Sequence, residues 1–190
     1  MTLLDFHTHR KPSDSNVRAI VDGIDTWGIH PWACEATHSE LSPNILAVGE
    51  CGLDRLSSTP WQLQLHSFRR CIEQSERLQK PLFLHCVRAA DECLQLRKET
   101  QATQPWIWHG FRGKPQQLRQ LLPFGFYFSF GFRYNPASLT ACPIDRLLIE
   151  TDDDPRPVSL LYAEISQLRA VSVETLASQM QENYQALFGE

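Results

Sequence analysis

Asp5-Phe6-His7-Thr8-His9, closing the apolar run that opens the chain, is the stretch from which the fold and its chemistry are read. In an extended strand the side-chain period is two, so His7 and His9 share a face, with Cα atoms ~7 Å apart. That separation lets both imidazoles reach one metal ion. Glu50, His85, His109 and Asp152 each close another apolar, strand-like run. Ligand-type residues at the ends of five strands are the pattern of a metallohydrolase built on a barrel, because parallel barrel strands all end at one rim.

Eight short strands are predicted, at Leu3 to His7, Val17 to Val21, Thr26 to His30, Ile45 to Glu50, Pro81 to Cys86, Trp106 to His109, Phe126 to Phe130 and Arg146 to Thr151. Several are unbroken apolar runs, as expected of parallel strands buried on both faces. The clearest helix begins at Ser58-Thr59-Pro60. There Thr59 and Gln62 form a capping box, and Trp61, Leu65, Phe68 and Ile72 form one apolar stripe. Further helices are predicted at Ala89 to Thr100, Pro115 to Leu122, Ser159 to Ala170 and Val173 to Phe188. The alternation specifies an α/β fold, a (β/α)8 TIM barrel, as a single domain over residues 1–190. A barrel of this kind typically needs ~250 residues, against 190 here. Only residues 9–26 separate the first strand from the third, and residues 131–145 leave little room for a helix. The barrel is therefore expected to be trimmed, with at least one outer helix replaced by a loop.

Composition narrows the function. A formal net charge of -4, from 18 basic and 22 acidic residues, is no footprint for sequence-independent nucleic-acid coating, though it allows an enzyme that grips only a chain end. No apolar stretch reaches the ~18 to 20 residues of a membrane span, and no signal-peptide pattern opens the chain. The expectation is a soluble cytoplasmic protein with no membrane and no stable protein partner. The six cysteines make no Cys-x-x-Cys pair and read as reduced core thiols. Cys51 and Cys86, next to Glu50 and His85, alternate away from the ligand face.

Four neutral imidazoles and two carboxylates suit two borderline divalent ions such as zinc or manganese, whereas magnesium favours more oxygen ligands. Two such ions (+4) and two ligating carboxylates (-2) leave a formal charge of about +2, which attracts a phosphodiester to an otherwise acidic chain. A hydroxide bridging the ions is the expected nucleophile, with Asp152 holding the attacking water and taking its proton.

Five blocks stand in order: Asp5-Phe6-His7-Thr8-His9, Gly28-Ile29-His30-Pro31, Gly49-Glu50-Cys51-Gly52-Leu53-Asp54, His109-Gly110-Phe111-Arg112-Gly113 and Leu148-Ile149-Glu150-Thr151-Asp152. Together they resemble the signature series of TatD-type metal-dependent hydrolases, and Gln64, Phe68, Asn183 and Leu187-Phe188 resemble further marks of that family. The resemblance implies an amidohydrolase-like barrel and a divalent-metal-dependent deoxyribonuclease, often acting on DNA from the 3′ end. It also implies His7, His9 and Asp152 on one ion, His85 and His109 on the other, and Glu50 bridging them. Glu50 and Asp152 are the catalytic carboxylates in this reading, and His30, Arg112 and Arg88 are substrate contacts. Asp54 is expected to cap a turn and to support the ligands from behind.

Three departures from the family pattern stand out. The arginine after the fifth strand comes one residue late, in His85-Cys86-Val87-Arg88. Asp152-Asp153-Asp154-Pro155 carries two additional acids, and the chain is short. The same ligands would serve a second chemistry, attack on an ester or amide carbonyl, as in a D-aminoacyl-tRNA deacylase or a lactonase. The additional acids point slightly toward that alternative. A hydrolytically silent metal-binding module is the third reading.

Overall fold

The protein was analysed as a computed structural model that describes residues 1–35, 41–42 and 44–189. His38, expected to face solvent, lies outside them. The chain packs as two compact units, Met1–Val21 with His109–Glu190, and Asp22–Trp108.

In the first unit β1 (Leu3–Thr8) pairs in parallel with β2 (Val17–Val21), Leu3 opposite Val17. Later in the chain β7 (Phe126–Phe130) pairs in parallel with β8 (Leu147–Ile149). A parallel bridge between Thr8 and Asp152 joins β1 to the end of β8. Every residue of β1 and β7 is buried, as the unbroken apolar runs required. Four helices belong here: α1 (Pro115–Leu121), the short α2 (Pro136–Ala141), α3 (Val158–Arg169) and α4 (Val173–Phe188). Tyr162 on α3 is clasped to Leu4, its hydroxyl accepting from the Leu4 amide (3.2 Å) and donating to the Leu4 carbonyl (2.9 Å). Asn183 on α4 donates to the carbonyls of Ile144 and Leu147, holding the entry to β8. On α4 the expected face, Leu176, Ala177, Met180, Tyr184 and Leu187, is buried, while Val173 is half-buried.

In the second unit β3 (Thr26–Trp27), β4 (Ala47–Asp54), β5 (Leu82–Val87) and β6 (Trp106–Trp108) pair in parallel in chain order. Helix α5 (Trp61–Leu78) covers β4 and β5, and α6 (Ala90–Glu99) follows β5. Phe68 of α5 meets Trp106 with ring centroids 5.3 Å apart, both fully buried. Truncating such a ring costs roughly 3–5 kcal/mol.

Several details correct the sequence reading. Strand β4 does not stop at Glu50 but runs on to Asp54, so Glu50 sits mid-strand beside a register shift between Val48 and Cys51. Continuation is possible because residue 52 is glycine. At its φ of +148° a Cβ would fall 2.0 Å from the His85 carbonyl oxygen. Strand β3 ends at Trp27 rather than His30. The capping box at Thr59 does not form, since Pro60 occupies the N-cap and the Thr59 carbonyl instead accepts from Gln64. Phe68 and Ile72 are buried as expected, but the buried face also takes in Gln64, Ser67, Cys71 and Ser75, with Trp61 and Leu65 half-buried. The reason is that Gln64 is drawn inward to bond the Asp54 backbone. The trimming is where it was expected, at residues 9–16 and 22–25, which hold no helix, and at 131–145, which hold the six-residue Pro136–Ala141 and the start of a 3-10 turn, Ile144–Arg146.

Candidate metal centre

The first unit assembles His7, His9 and Asp152. Asp152 follows β8, and its amide donates to the His7 carbonyl (2.9 Å) while its carbonyl accepts from the His9 amide (3.3 Å). These two bonds carry the backbone of 152 alongside the end of β1 in a left-handed conformation, φ +56°, which is uncommon for a non-glycine residue and clusters at functional sites. His9 Nε2 stands 3.3 Å from Asp152 Oδ1, His7 Nε2 stands 4.0 Å from it, and the two imidazole rings are 5.2 Å apart. One ligand atom from each of the three lies within 4.8 Å of the others. Donors bound ~2.0–2.2 Å from one ion stand about 3–3.5 Å apart, so the His9–Asp152 pair has the spacing of shared coordination.

His109 lies in the same unit, its ring 4.6 Å from that of His7, with Nδ1 3.4 Å from Glu150 Oε1. Glu150 is fully buried; its Oε1 accepts from the Gly110 amide at 2.5 Å, and no hydrogen-bond partner reaches its Oε2 among the described residues. Sequence reasoning gave Glu150 no role, though an acid closing an apolar strand two residues before Asp152 was the available signal. Asp5 is a second such residue: its carboxylate accepts from the Thr151 amide and hydroxyl (2.9 and 2.7 Å). Burial pushes its pKa to about 6 in spite of those bonds.

The second unit assembles His30, Glu50 and His85. His85 Nδ1 is 2.5 Å from Glu50 Oε1 and 3.3 Å from His30 Nε2, and His85 Nε2 is 3.0 Å from Asp54 Oδ2. Asp54 and Glu50 are both acceptors when ionised, and a neutral imidazole carries one proton; with that proton on Nε2, toward Asp54, Nδ1 presents its lone pair to the Glu50 carboxylate. Two lone pairs at 2.5 Å repel unless a cation stands with them; the donor set therefore fits a divalent ion held by His85 Nδ1 and Glu50, with Asp54 setting the tautomer. The His30 ring is turned the other way. Its Nδ1 accepts from the Trp32 amide (3.2 Å), so Nε2 points an N–H toward Glu50 at 3.4 Å. A donor in that place suits a phosphate oxygen.

Asp54 does what the sequence suggested and more. Oδ1 caps the turn through the Leu56 amide (2.7 Å), and Oδ2 also accepts from the Trp32 indole (2.6 Å). Burial raises its pKa, but the bonds from Trp32, His85 and Leu56 outweigh burial and hold the carboxyl below its ordinary value. Gln64 locks the Asp54 backbone on both sides, and the Asp22 carboxylate receives the Glu50 amide at 3.1 Å. Asp22, ahead of β3 in a loop without pattern, gave no sequence signal.

The substrate arginines stand differently. Arg112 is exposed and lines a small cleft with Asp152, Asp153 and Arg133. Arg88 is exposed with a left-handed backbone, φ +53°. Asp154 is bound on both oxygens by the Arg156 guanidinium (2.9 and 2.8 Å), which holds its pKa at about 2, and that guanidinium stacks on Phe132. Arg10 donates to the carbonyls of Asp153 and Asp154. Of the thiols, Cys51, Cys71, Cys93 and Cys142 are buried as expected, whereas Cys34 and Cys86 are half-buried.

Parallel strands alternating with helices, carrying histidines and carboxylates at and beyond their C-terminal ends, define a metal-dependent hydrolase class. The comparisons with known proteins agree. Residues 13–189 match the family model for TatD related DNase. A 3′-5′ ssDNA/RNA exonuclease TatD of Klebsiella pneumoniae is 30% identical over 86% of this chain and 76% of its own. An uncharacterized metal-dependent hydrolase of Buchnera aphidicola is 31% identical over 85% and 72%. Among solved structures, a TatD homologue from Escherichia coli K12 superposes with a TM-score of 0.76 at 22% identity, covering 94% of this chain and 79% of that one; that likeness shows the fold, a trimmed (β/α)8 barrel. The chain belongs to the TatD family of metal-dependent hydrolases, enzymes acting on ester bonds. No helix among the described residues is long and apolar enough to cross a membrane.

Proposed function

We propose that this chain, working as one domain, is a divalent-metal-dependent nuclease that removes nucleotides from single-stranded ends, with DNA as the principal substrate and 3′-5′ polarity. The observation that carries the reading is the His7–His9–Asp152 cluster, three ligands from two distant stretches of chain with the spacing of shared coordination. The exonuclease name of a 30% identical relative supports the substrate class.

In this reading His7, His9 and Asp152 hold one ion, His85 and His109 the other, and Glu50 serves both. Zinc, manganese and magnesium are the candidates. Bound ions of this kind supply Lewis acidity and an activated water at neutral pH. Asp152 orients the attacking water and accepts its proton. His30, through its Nε2–H, donates to a phosphate oxygen, and Arg112 adds charge at the rim. Arg88, exposed just after β5, is a further substrate contact. Asp54 and Glu150 fix the imidazoles of His85 and His109 from behind.

The additional acids do not argue for a carbonyl substrate. Asp154 is neutralised by Arg156, and Arg10 brings a further positive charge to that loop, so the loop is far less repulsive to a polyanion than its sequence suggests.

The test is hydrolysis of end-labelled single-stranded DNA with manganese or magnesium. We expect stepwise shortening by the native protein, abolished by chelator and by His7→Ala and Asp152→Ala. Equal cleavage by native protein and variants contradicts the proposal.

A further inference from the structure

Trp32 is more than half exposed, at 57%, yet it is among the most firmly anchored side chains of the second unit. Its indole N–H donates to Asp54 Oδ2 at 2.6 Å, and its amide donates to His30 Nδ1 at 3.2 Å. The preceding Pro31 carbonyl accepts from the Ser57 hydroxyl at 3.1 Å. A tryptophan retained for packing buries its ring; one held by its polar edge with a face in water is arranged for something else to cover it. The anchoring oxygen also receives His85 Nε2 at 3.0 Å. Two hydrogen bonds to one atom set the indole N–H within ~6 Å of the imidazole of a metal ligand.

We propose that Trp32 is a stacking platform for the unpaired nucleobase next to the scissile phosphodiester. The inference rests on the nuclease reading above and adds to it a residue that grips the base rather than the phosphate. A nucleobase is the occupant that the chemistry selects. It offers a flat π-face whatever its identity, as an enzyme that consumes a strand base by base requires, and stacking on aromatic side chains is sequence-tolerant. An exposed ring pinned at its edge loses little freedom when a base settles on it, so the contact is preorganised. His30 belongs to the same device: the amide of Trp32 sets its tautomer, so one short loop presents an N–H to the phosphate and a ring to the adjoining base.

The experiment measures KM and kcat separately for hydrolysis of single-stranded oligonucleotides in manganese, using native protein, Trp32→Ala and Trp32→Phe. Each is assayed on an ordinary oligonucleotide and on one whose terminal nucleotides lack their bases. Base–aromatic stacking is strong enough that Trp32→Ala should raise KM on the ordinary strand about tenfold or more, with kcat changing far less. Trp32→Phe, which keeps a ring but loses the bond to Asp54, should stay within about threefold of the native KM. On the base-free ends the penalty of Trp32→Ala should largely vanish.

Three results overturn the inference while leaving the nuclease reading intact. They are an unchanged KM in Trp32→Ala, an equal penalty on base-free ends, or a loss in Trp32→Phe as large as in Trp32→Ala. The last would make Trp32 a support for Asp54. Native protein that turns over a simple ester but no oligonucleotide defeats the nuclease reading, and this inference with it.

Discussion

The two ligand clusters are built on opposite plans. His7, His9 and Asp152 gather where β1 and β8 run out, held by backbone bonds and a left-handed residue, with His7 fully buried, Asp152 25% and His9 43% exposed. His30, Glu50 and His85 sit along and beside β4 and β5, with His30 33%, His85 16% and Glu50 6% exposed, inside a frame of side-chain bonds from Asp54, Asp22 and Gln64. The difference teaches where rigidity is stored. The first cluster owes its geometry to chain path; the second owes it to a hydrogen-bonded frame. An ion in the second should exchange slowly, while one in the first should be lost first to a chelator.

The largest effects should come from breaking either plan outright. His7→Ala or Asp152→Ala is expected to lower hydrolysis by roughly a thousandfold or more, since ligand loss removes the charge stabilisation that the ion brings. Gly52→Ala should break the framed plan through the backbone instead. With a Cβ 2.0 Å from the His85 carbonyl oxygen, soluble expression and the cooperative melting transition should be lost. A variant melting within a few degrees of the native protein would show that β4 does not need the close approach.

Removing one member of the frame should cost less. Asp54→Asn leaves a group that no longer fixes the proton on His85, and a loss of about 10–100-fold in metal affinity is expected by competition with a chromophoric chelator. No such loss is expected of the His7–His9–Asp152 ion. If Asp54→Asn weakens both ions equally, the contrast between the plans fails.

A smaller effect separates the clusters by pH. Folding raises the Asp5 pKa from 3.8 to about 6, so the protonated form is the one the folded state favours. Its stabilisation is present below pH ~4 and lost as pH rises through about 6, on the order of 2–3 kcal/mol in all. Asp5→Asn should flatten that part of the stability–pH curve, followed by denaturant unfolding between pH 4 and 8. A curve parallel to the native one would contradict the assignment. Smallest is Ser172→Ala, which removes the bond to the Thr175 amide that caps α4 and should cost about 1 kcal/mol by thermal melting.

Much of this was legible in the sequence, and unevenly so. His7, His9 and Asp152 were readable because strand period and strand ends are local patterns, and unbroken apolar runs reported burial on both faces. Glu50 was found for its residue type but misplaced at a strand end, because the continuation of β4 depends on a backbone approach at Gly52 that no side-chain pattern records. The capping box at Thr59 failed because the helix starts one residue later, with Pro60 at the N-cap, and the buried face gained Gln64, whose partner is the distant Asp54 backbone. Asp22 and Glu150 escaped because their roles depend on partners 28 and 40 residues away, Glu50 and Gly110. The acids at 153 and 154 could not be weighed from the sequence, since the pairing of Asp154 with Arg156 and the approach of Arg10 to that loop appear only when the chain is folded.

The most direct test of the central account is the metal content of the purified, metal-loaded protein and its Asp152→Ala variant, measured by elemental analysis after passage through a desalting column. The account predicts two divalent ions per native chain and one in the variant, retained by the cluster that the hydrogen-bonded frame holds. A native protein that binds none, or a variant that keeps both, would contradict it.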